Sequence, residues 1–213
     1  MPSPDVEPGP VPIEFWFDFA SPYSYLAASR IEALLDASGL RFALAWRPLL
    51  LGPIFKRCAA NPSPFQEAGT EERRYRRRDI ERQCLLYGLA LTWPSTYPRG
   101  SLLATRVALV AAEEGWCDVF AKAVFQANFA EDRDIAAEPV VSALLRSLGQ
   151  PAEEIIARAA SAETKARLAA QVERAIAAGI FGAPSIVLGG ELFWGNDRLE
   201  QAIAWAKRDG TQQ

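Results

Sequence analysis

The strongest constraint on the fold is an apolar, aromatic run that leads directly into a serine–proline pair. Residues 13–18 are mostly apolar or aromatic, which is typical of a central strand covered on both faces. Ser21 and Pro22 then suit a helix start, because the serine hydroxyl accepts from a free backbone N–H and proline has none to satisfy. A helix is predicted from Pro22 to about Ser38, where Gly39 ends it.

A second strand is predicted over residues 42–46, which completes a strand–helix–strand unit. Such a unit is expected to be parallel and right-handed. The strand pattern returns only near the end of the chain, where residues 185–188 and 191–194 flank Gly189-Gly190 and favour a hairpin. A last helix is expected from Asn196-Asp197 onward. The order βαβ and then ββα predicts an α/β, thioredoxin-like fold.

A large, all-helical insertion is predicted between the two halves. No convincing strand pattern occurs from about Leu49 to Gly179, and glycines fall where helices should end. Helical periods cover residues 66–88, 101–115, 116–128, 136–148, 151–159 and 162–178. The predicted organisation is a flexible arm (1–12), a thioredoxin-like domain (13–48 and 179–207), a helical subdomain (49–178) and a tail (208–213).

Composition excludes several kinds of chemistry. The 213 residues include no histidine, which rules out Ser-His-Asp and Cys-His catalysis and histidine-ligated metals, and no metal site is predicted. The three cysteines, Cys58, Cys84 and Cys117, are far apart, so buried thiols in a reducing compartment are expected. A net charge of −3 argues against nucleic acid, and the basic run 73–82 is predicted to be a solvated helix face.

No targeting or membrane segment is recognised in the sequence. The first twelve residues lack the basic and apolar regions of a signal peptide, and no apolar run approaches the ~20 residues that span a bilayer. We therefore expect a cytoplasmic protein.

Several separated motifs together resemble one family. They are FDFASPYSYL at 17–26, WRPLLLGPIFK at 46–56, ANFAEDRDI at 127–135, GIFGAPS at 179–185 and FWGNDRL at 193–199. Together they resemble the 2-hydroxychromene-2-carboxylate isomerases, which are similar to kappa-class glutathione transferases and belong to the DsbA-like thioredoxin superfamily. The resemblance implies a glutathione-dependent isomerase that interconverts 2-hydroxychromene-2-carboxylate and trans-o-hydroxybenzylidenepyruvate in naphthalene-type aromatic catabolism.

Ser21 is the candidate catalytic residue. A thioredoxin-like redox enzyme would carry C-x-x-C where this chain has Ser21-Pro22-Tyr23-Ser24, so dithiol chemistry is nearly excluded. A helix start favours an anion, and the Ser21 hydroxyl could hydrogen-bond a glutathione thiolate held there. The alternative interpretation of the residue is an ordinary helix cap.

The resemblance assigns the glutathione contacts by position. Ala183 and Pro184 match the cis-proline site, where the ligand's cysteinyl backbone would pair as an added strand. Asn196 and Asp197 match the contact with the γ-glutamyl end, and Asn61 is a further expected glutathione contact.

The substrate contacts are also assigned by resemblance. Lys56 is expected to hold the substrate carboxylate, and Tyr23 to contact the substrate. Residues 99–101 are expected to face the substrate pocket. Arg99-Gly100-Ser101 stands where the family commonly has an asparagine–threonine pair, so the substrate of this chain stays open.

Two other functions remain open at this point. A glutathione transferase would use the same thiolate to conjugate electrophiles, and a non-catalytic thioredoxin-like module would bind a partner protein without glutathione. A homodimer is expected by family analogy alone.

Overall fold

The protein, a computed structural model, is described over residues 9–57 and 70–209, so Cys58 and Asn61 lie outside the described residues. The strands are β1 (Val11–Phe17), β2 (Phe42–Pro48), β3 (Ser185–Leu188) and β4 (Glu191–Trp194). The helices are α1 (Pro22–Ala37), α2 (Leu51–Arg57), α3 (Thr70–Tyr87), α4 (Leu102–Glu114), α5 (Cys117–Phe129), α6 (Glu138–Ser147), α7 (Ala152–Ala160), α8 (Ala162–Ala177) and α9 (Leu199–Asp209). A 3₁₀ turn, Asn196–Arg198, precedes α9. None of these helices is long and apolar enough to cross a membrane.

The sheet has the order β2-β1-β3-β4. Strand β1 is parallel to β2 and antiparallel to β3, and β3 is antiparallel to β4, with Ser185 opposite Trp194. The predicted fold is confirmed: the two halves share one sheet, and helices fill the described chain between them.

Two local differences from the predictions have physical reasons. Strand β1 begins at Val11, inside the predicted arm, because Val11 pairs with Phe42 and its N–H donates to the carbonyl of Arg41 at 2.8 Å. Helix α2 was not predicted, since Gly52 and Pro53 obscure its short period.

The two faces of the sheet pack against different helices. On one face, Phe15 and Phe17 are fully buried with Phe19, and the rings of Phe17 and Phe19 lie close to Phe125 of α5. On the other face, Trp16 is buried in a cluster with residues of α2 and α8. This two-sided burial fixes the carboxyl end of β1, from which the Asp18–Ser21 segment leads into α1.

Helix α3 confirms the prediction for the basic run. Its arginines are interleaved with acids and form ion pairs along the exposed surface: Arg74 with Glu71, Arg76 with Glu72 and Arg78 with Glu81. Pairs three or four residues apart are typical of a solvated helix face.

Both described cysteines are free and buried, as predicted. Burial raises the pKa of the Cys84 thiol to about 11, and it raises the pKa of Cys117 further. Both thiols therefore stay protonated at neutral pH, and neither is a ready nucleophile.

Candidate active site

Ser21 joins the motif at 17–26, which contains it, to the motif at 179–185. Its hydroxyl donates to the carbonyl of Ala183 at 2.9 Å, across 162 positions of the chain. The same oxygen accepts from the backbone N–H of Ser24 at 3.2 Å, so Ser21 is the predicted cap of α1. The residue is 8% exposed, so its hydroxyl lies at the edge of the buried core.

The loop before β3 has the expected geometry. The Ala183–Pro184 peptide bond is cis, as the resemblance implies. The carbonyl of Pro184 accepts from the N–H of Gly195 at 3.0 Å, which ties this loop to the end of β4. The Ala183 carbonyl and the start of α1 are thus fixed against each other.

Asn196 is buried at the start of the 3₁₀ turn, where its amide is already engaged. Its oxygen accepts from Arg30 at 3.1 Å, and its nitrogen donates to Gln83 at 2.7 Å. The Arg30 guanidinium also lies 4.1 Å from the ring centre of Tyr87. In this structure the Asn196 side chain joins α1, α3 and the start of α9.

Asp197 is open to solvent, with its side chain 67% exposed, and pairs with Arg198 at 3.3 Å. Its carboxylate folds over Gly195, where a Cβ would stand 2.4 Å from Oδ1 and where φ is +119°. Glycine is therefore required at position 195. The carboxylate is exposed, so a cationic group of a ligand could reach it beside Arg198.

The two expected substrate residues lie on different helices. Lys56 is exposed near the end of α2. Tyr23, in the first turn of α1, donates from its hydroxyl to Asp79 of α3 at 3.0 Å. Burial raises the pKa of Tyr23, and the nearby Asp79 raises it further, so the phenol stays neutral.

Asp18 is a buried residue of the site to which the sequence assigned no role. Its two oxygens accept from the backbone N–H groups of Ala20 and Leu51, each at 2.8 Å, and Ser101 donates at 3.4 Å. The carboxyl therefore joins the starts of α1, α2 and α4. The sequence did contain a signal for this role, because Asp18 is an acid directly after an apolar strand. An acid buried at such a position needs several hydrogen-bond donors.

The stability of the fold should depend on the charge of Asp18. Burial raises its pKa from the ordinary 3.8, against the lowering effect of its backbone hydrogen bonds, so the folded protein binds this proton more tightly than the unfolded chain. Its contribution to stability is complete below the ordinary pKa and is lost as pH rises through the raised value.

The variant Asp18→Asn cannot ionise at this position. The difference in unfolding free energy between variant and wild type should therefore shift in favour of the variant as pH rises from about 3 to about 7. Denaturant unfolding of both proteins at several pH values measures this difference, because the other carboxyls occur in both and cancel. A difference that stays constant with pH would contradict the raised pKa.

Arg99 turns into the protein instead of facing a pocket, which corrects the expectation for this residue of the 99–101 loop. Its side chain is 3% exposed and forms an ion pair with Asp132. It also donates to the side-chain oxygen of Asn128 at 3.2 Å and to the carbonyl of Arg133 at 2.9 Å. Asn128 in turn donates to the carbonyl of Phe19 at 3.0 Å. Through the contact between Asn128 and Phe19, this network holds the Asp18–Ser21 turn in place.

An exposed aromatic pair flanks the cis-proline loop. Phe181 and Trp194 are 46% and 48% exposed, and their ring centres are 4.8 Å apart. A Cβ at Gly182 would stand 2.3 Å from the indole nitrogen of Trp194. The absence of a side chain at Gly182 thus lets the indole pack against the loop.

Gly182→Ala should displace the indole of Trp194 and reduce the free energy of unfolding by about 1–3 kcal/mol, the usual effect of overpacking. Denaturant unfolding followed by tryptophan fluorescence measures both changes. Gly52→Ala is the matched control, because a Cβ there meets nothing within 4 Å and alanine favours the helix. Equal stability of the two variants would contradict the packing seen at Gly182.

Comparison with known proteins agrees with this geometry. A family model described as a DSBA-like thioredoxin domain matches residues 12–203. The 2-hydroxychromene-2-carboxylate isomerase of Pseudomonas sp. (strain C18) is 30% identical over 203 residues, which are 93% of this chain and 92% of the relative. The enzyme of that name from Pseudomonas putida is 28% identical over 187 residues, 88% of this chain and 90% of the relative.

Solved structures show the same similarity. A 2-hydroxychromene-2-carboxylate isomerase matches with a TM-score of 0.84 and 26% identity, over 94% of this chain and 97% of that one. The cytosolic disulfide reductase DsbM from Pseudomonas aeruginosa, solved with GSH, has a TM-score of 0.62 and 18% identity, over 95% and 98% of the two chains. This second likeness is one of fold alone.

The sheet order, the cis-proline loop and the capped helix start, together with the matching model, define a DSBA-like thioredoxin domain. Its redox positions hold Ser21 and Ser24, so the dithiol of the disulfide enzymes is absent. Within this class, the chain belongs to the family of the 2-hydroxychromene-2-carboxylate isomerases.

Proposed function

We propose that the protein is a glutathione-dependent isomerase of the 2-hydroxychromene-2-carboxylate type, and that Ser21 stabilises the thiolate of the bound cofactor. The name shared by its relatives supports the reaction class. The observation that carries the role of Ser21 is its hydrogen bond to the carbonyl of Ala183, beside the cis-proline.

The residues around Ser21 fit glutathione. The Ala183 carbonyl lies just before β3, outside the ladder of paired residues, so the cysteinyl N–H of glutathione can take it as an acceptor. The Ser21 hydroxyl, released from that carbonyl, would then donate to the thiolate. The exposed carboxylate of Asp197 suits the free α-amino group at the other end of the ligand.

The start of α1 also stabilises a negative charge near Ser21. Ser21 caps α1, a helix of 16 residues, so the positive end of the helix dipole favours a negative sulfur there. Bound glutathione would supply a thiolate that adds to an electrophilic carbon of the substrate and later leaves, so that a double bond can rotate in between. The thiolate is regenerated, and glutathione is not consumed.

The test is a spectrophotometric assay of hydroxychromene carboxylate isomerisation with and without glutathione. Turnover that requires glutathione but does not consume it is the expected result. Consumption of glutathione with formation of a conjugate would replace the proposal with a transferase. No turnover and no calorimetric binding of glutathione would reject both and favour the partner-binding module.

A further inference from the structure

Two partly exposed aromatic side chains, Trp93 and Tyr97, form a surface on the loop before α4. The rings of Trp93 and Tyr97 meet edge to face, with centres 5.9 Å apart. Burial raises the pKa of the Tyr97 phenol, and the nearby carboxylate of Asp18 and phenol of Tyr23 raise it further. Tyr97 also lies four residues before Ser101, whose hydroxyl donates to Asp18 at 3.4 Å, so the surface of Trp93 and Tyr97 belongs to the loop that leads to the Asp18–Ser21 turn.

The guanidinium of Arg77 lies over the ring of Trp93. The guanidinium carbon of Arg77, on α3, lies 4.3 Å from the ring centre of Trp93. In the part of the chain that the structure describes, Arg77 forms no ion pair or hydrogen bond, whereas Arg74 pairs with Glu71 and Arg78 with Glu81. Its N–H groups are therefore available to an anion from solution.

Glu81 of the same helix contacts Trp93 but forms its ion pair with Arg78 rather than with Arg77. Glu81 accepts from the indole N–H of Trp93 at 3.3 Å and from Arg78 at 3.0 Å. Its hydrogen bond with Arg78 is the largest cause of its lowered pKa, and the charge of Arg77 contributes least. Arg77 is thus held against the indole face by stacking. Its N–H groups do not bind a carboxylate of the described part of the chain.

We propose that the surface of Tyr97, Trp93 and Arg77 binds a planar aromatic carboxylate, with its ring against the aromatic side chains and its carboxylate on Arg77. Arginine binds carboxylates through two parallel N–H donors, and aromatic rings pack edge to face or offset. This inference rests on the proposed function, because it identifies where the same site would hold its substrate. It gives the carboxylate a partner on α3, in addition to the expected Lys56.

The test compares two probes that differ only in charge, 2-naphthoate and 2-naphthamide, titrated calorimetrically into the full-length protein without glutathione. Wild type should bind the carboxylate more tightly than the amide. Arg77→Gln should weaken naphthoate binding about 10-fold, the effect of one charge-assisted contact, and leave naphthamide binding unchanged. Arg74→Gln, which removes the same charge one turn away on the same helix, should change neither.

A second variant tests the ring contact. Trp93→Leu should weaken the binding of both probes, because it removes the aromatic face and the support of Arg77. The inference is overturned if wild type does not bind naphthoate, if it binds the amide equally well, or if Arg77→Gln binds naphthoate like wild type. Since no glutathione is present, these results are independent of the turnover assay that decides the proposed function.

Discussion

Replacing Ser21 with alanine is expected to lower the turnover number for isomerisation about 10-fold or more, the scale of one lost charge-assisted hydrogen bond. The variant lacks the hydroxyl that contacts Ala183 and caps α1. A thiolate at the helix start would then keep the dipole but lose its nearest donor. Steady-state kinetics with saturating glutathione measures the effect.

Ser161→Ala separates this loss from the effect of removing a helix cap. Ser161 caps α8 in the same way, accepting from the N–H of Thr164 at 3.1 Å. Both variants should lose about 1 kcal/mol of unfolding free energy, the typical value for a cap. The turnover number should fall only in Ser21→Ala. If it falls equally in both, or in neither, Ser21 has no catalytic role.

Arg99→Met is expected to reduce the free energy of unfolding by about 1–3 kcal/mol, as when buried hydrogen-bond acceptors lose their donor. The change leaves the side-chain oxygen of Asn128 without its donor and Asp132 without its cation. Because Asn128 also holds the carbonyl of Phe19, the Asp18–Ser21 turn should loosen and turnover should fall. Denaturant unfolding and kinetics measure the two effects.

Arg133→Met is the control for Arg99→Met. The Arg133 side chain is 38% exposed and pairs with Glu131 on the surface, so its loss should change stability by less than about 0.5 kcal/mol. Its backbone carbonyl, which accepts from Arg99, is kept in this variant. Similar stability of the two variants would show that the buried network contributes little.

The parts of the fold that depend on local pattern were predictable. Residues 185–194 carry two short apolar runs around a glycine pair, and the structure forms strands over Ser185–Leu188 and Glu191–Trp194. The start of α1 follows from the serine–proline pair, since both residues act within one turn. Helix α2 has seven residues with a glycine and a proline, too few for a helical period to be seen.

The parts of the site that depend on distant contacts were not predictable from the residues alone. Nothing near Asp18 in the sequence indicates that Leu51 and Ser101 supply its donors. Arg99 was expected to face the substrate pocket with its loop, but its side chain is buried in a network with residues 128–133 that lie far away in the sequence. The cis bond before Pro184 followed from the resemblance, since a bare sequence favours trans.

The most direct test of the account is a pH titration of the thiolate of glutathione bound to wild type and to Ser21→Ala, followed by its ultraviolet absorbance. The account predicts a thiol pKa in the wild-type complex clearly below the ~8.5 of a free cysteine thiol, and a higher value in the variant. A bound thiol that titrates like free glutathione in both proteins would contradict the proposed role of Ser21.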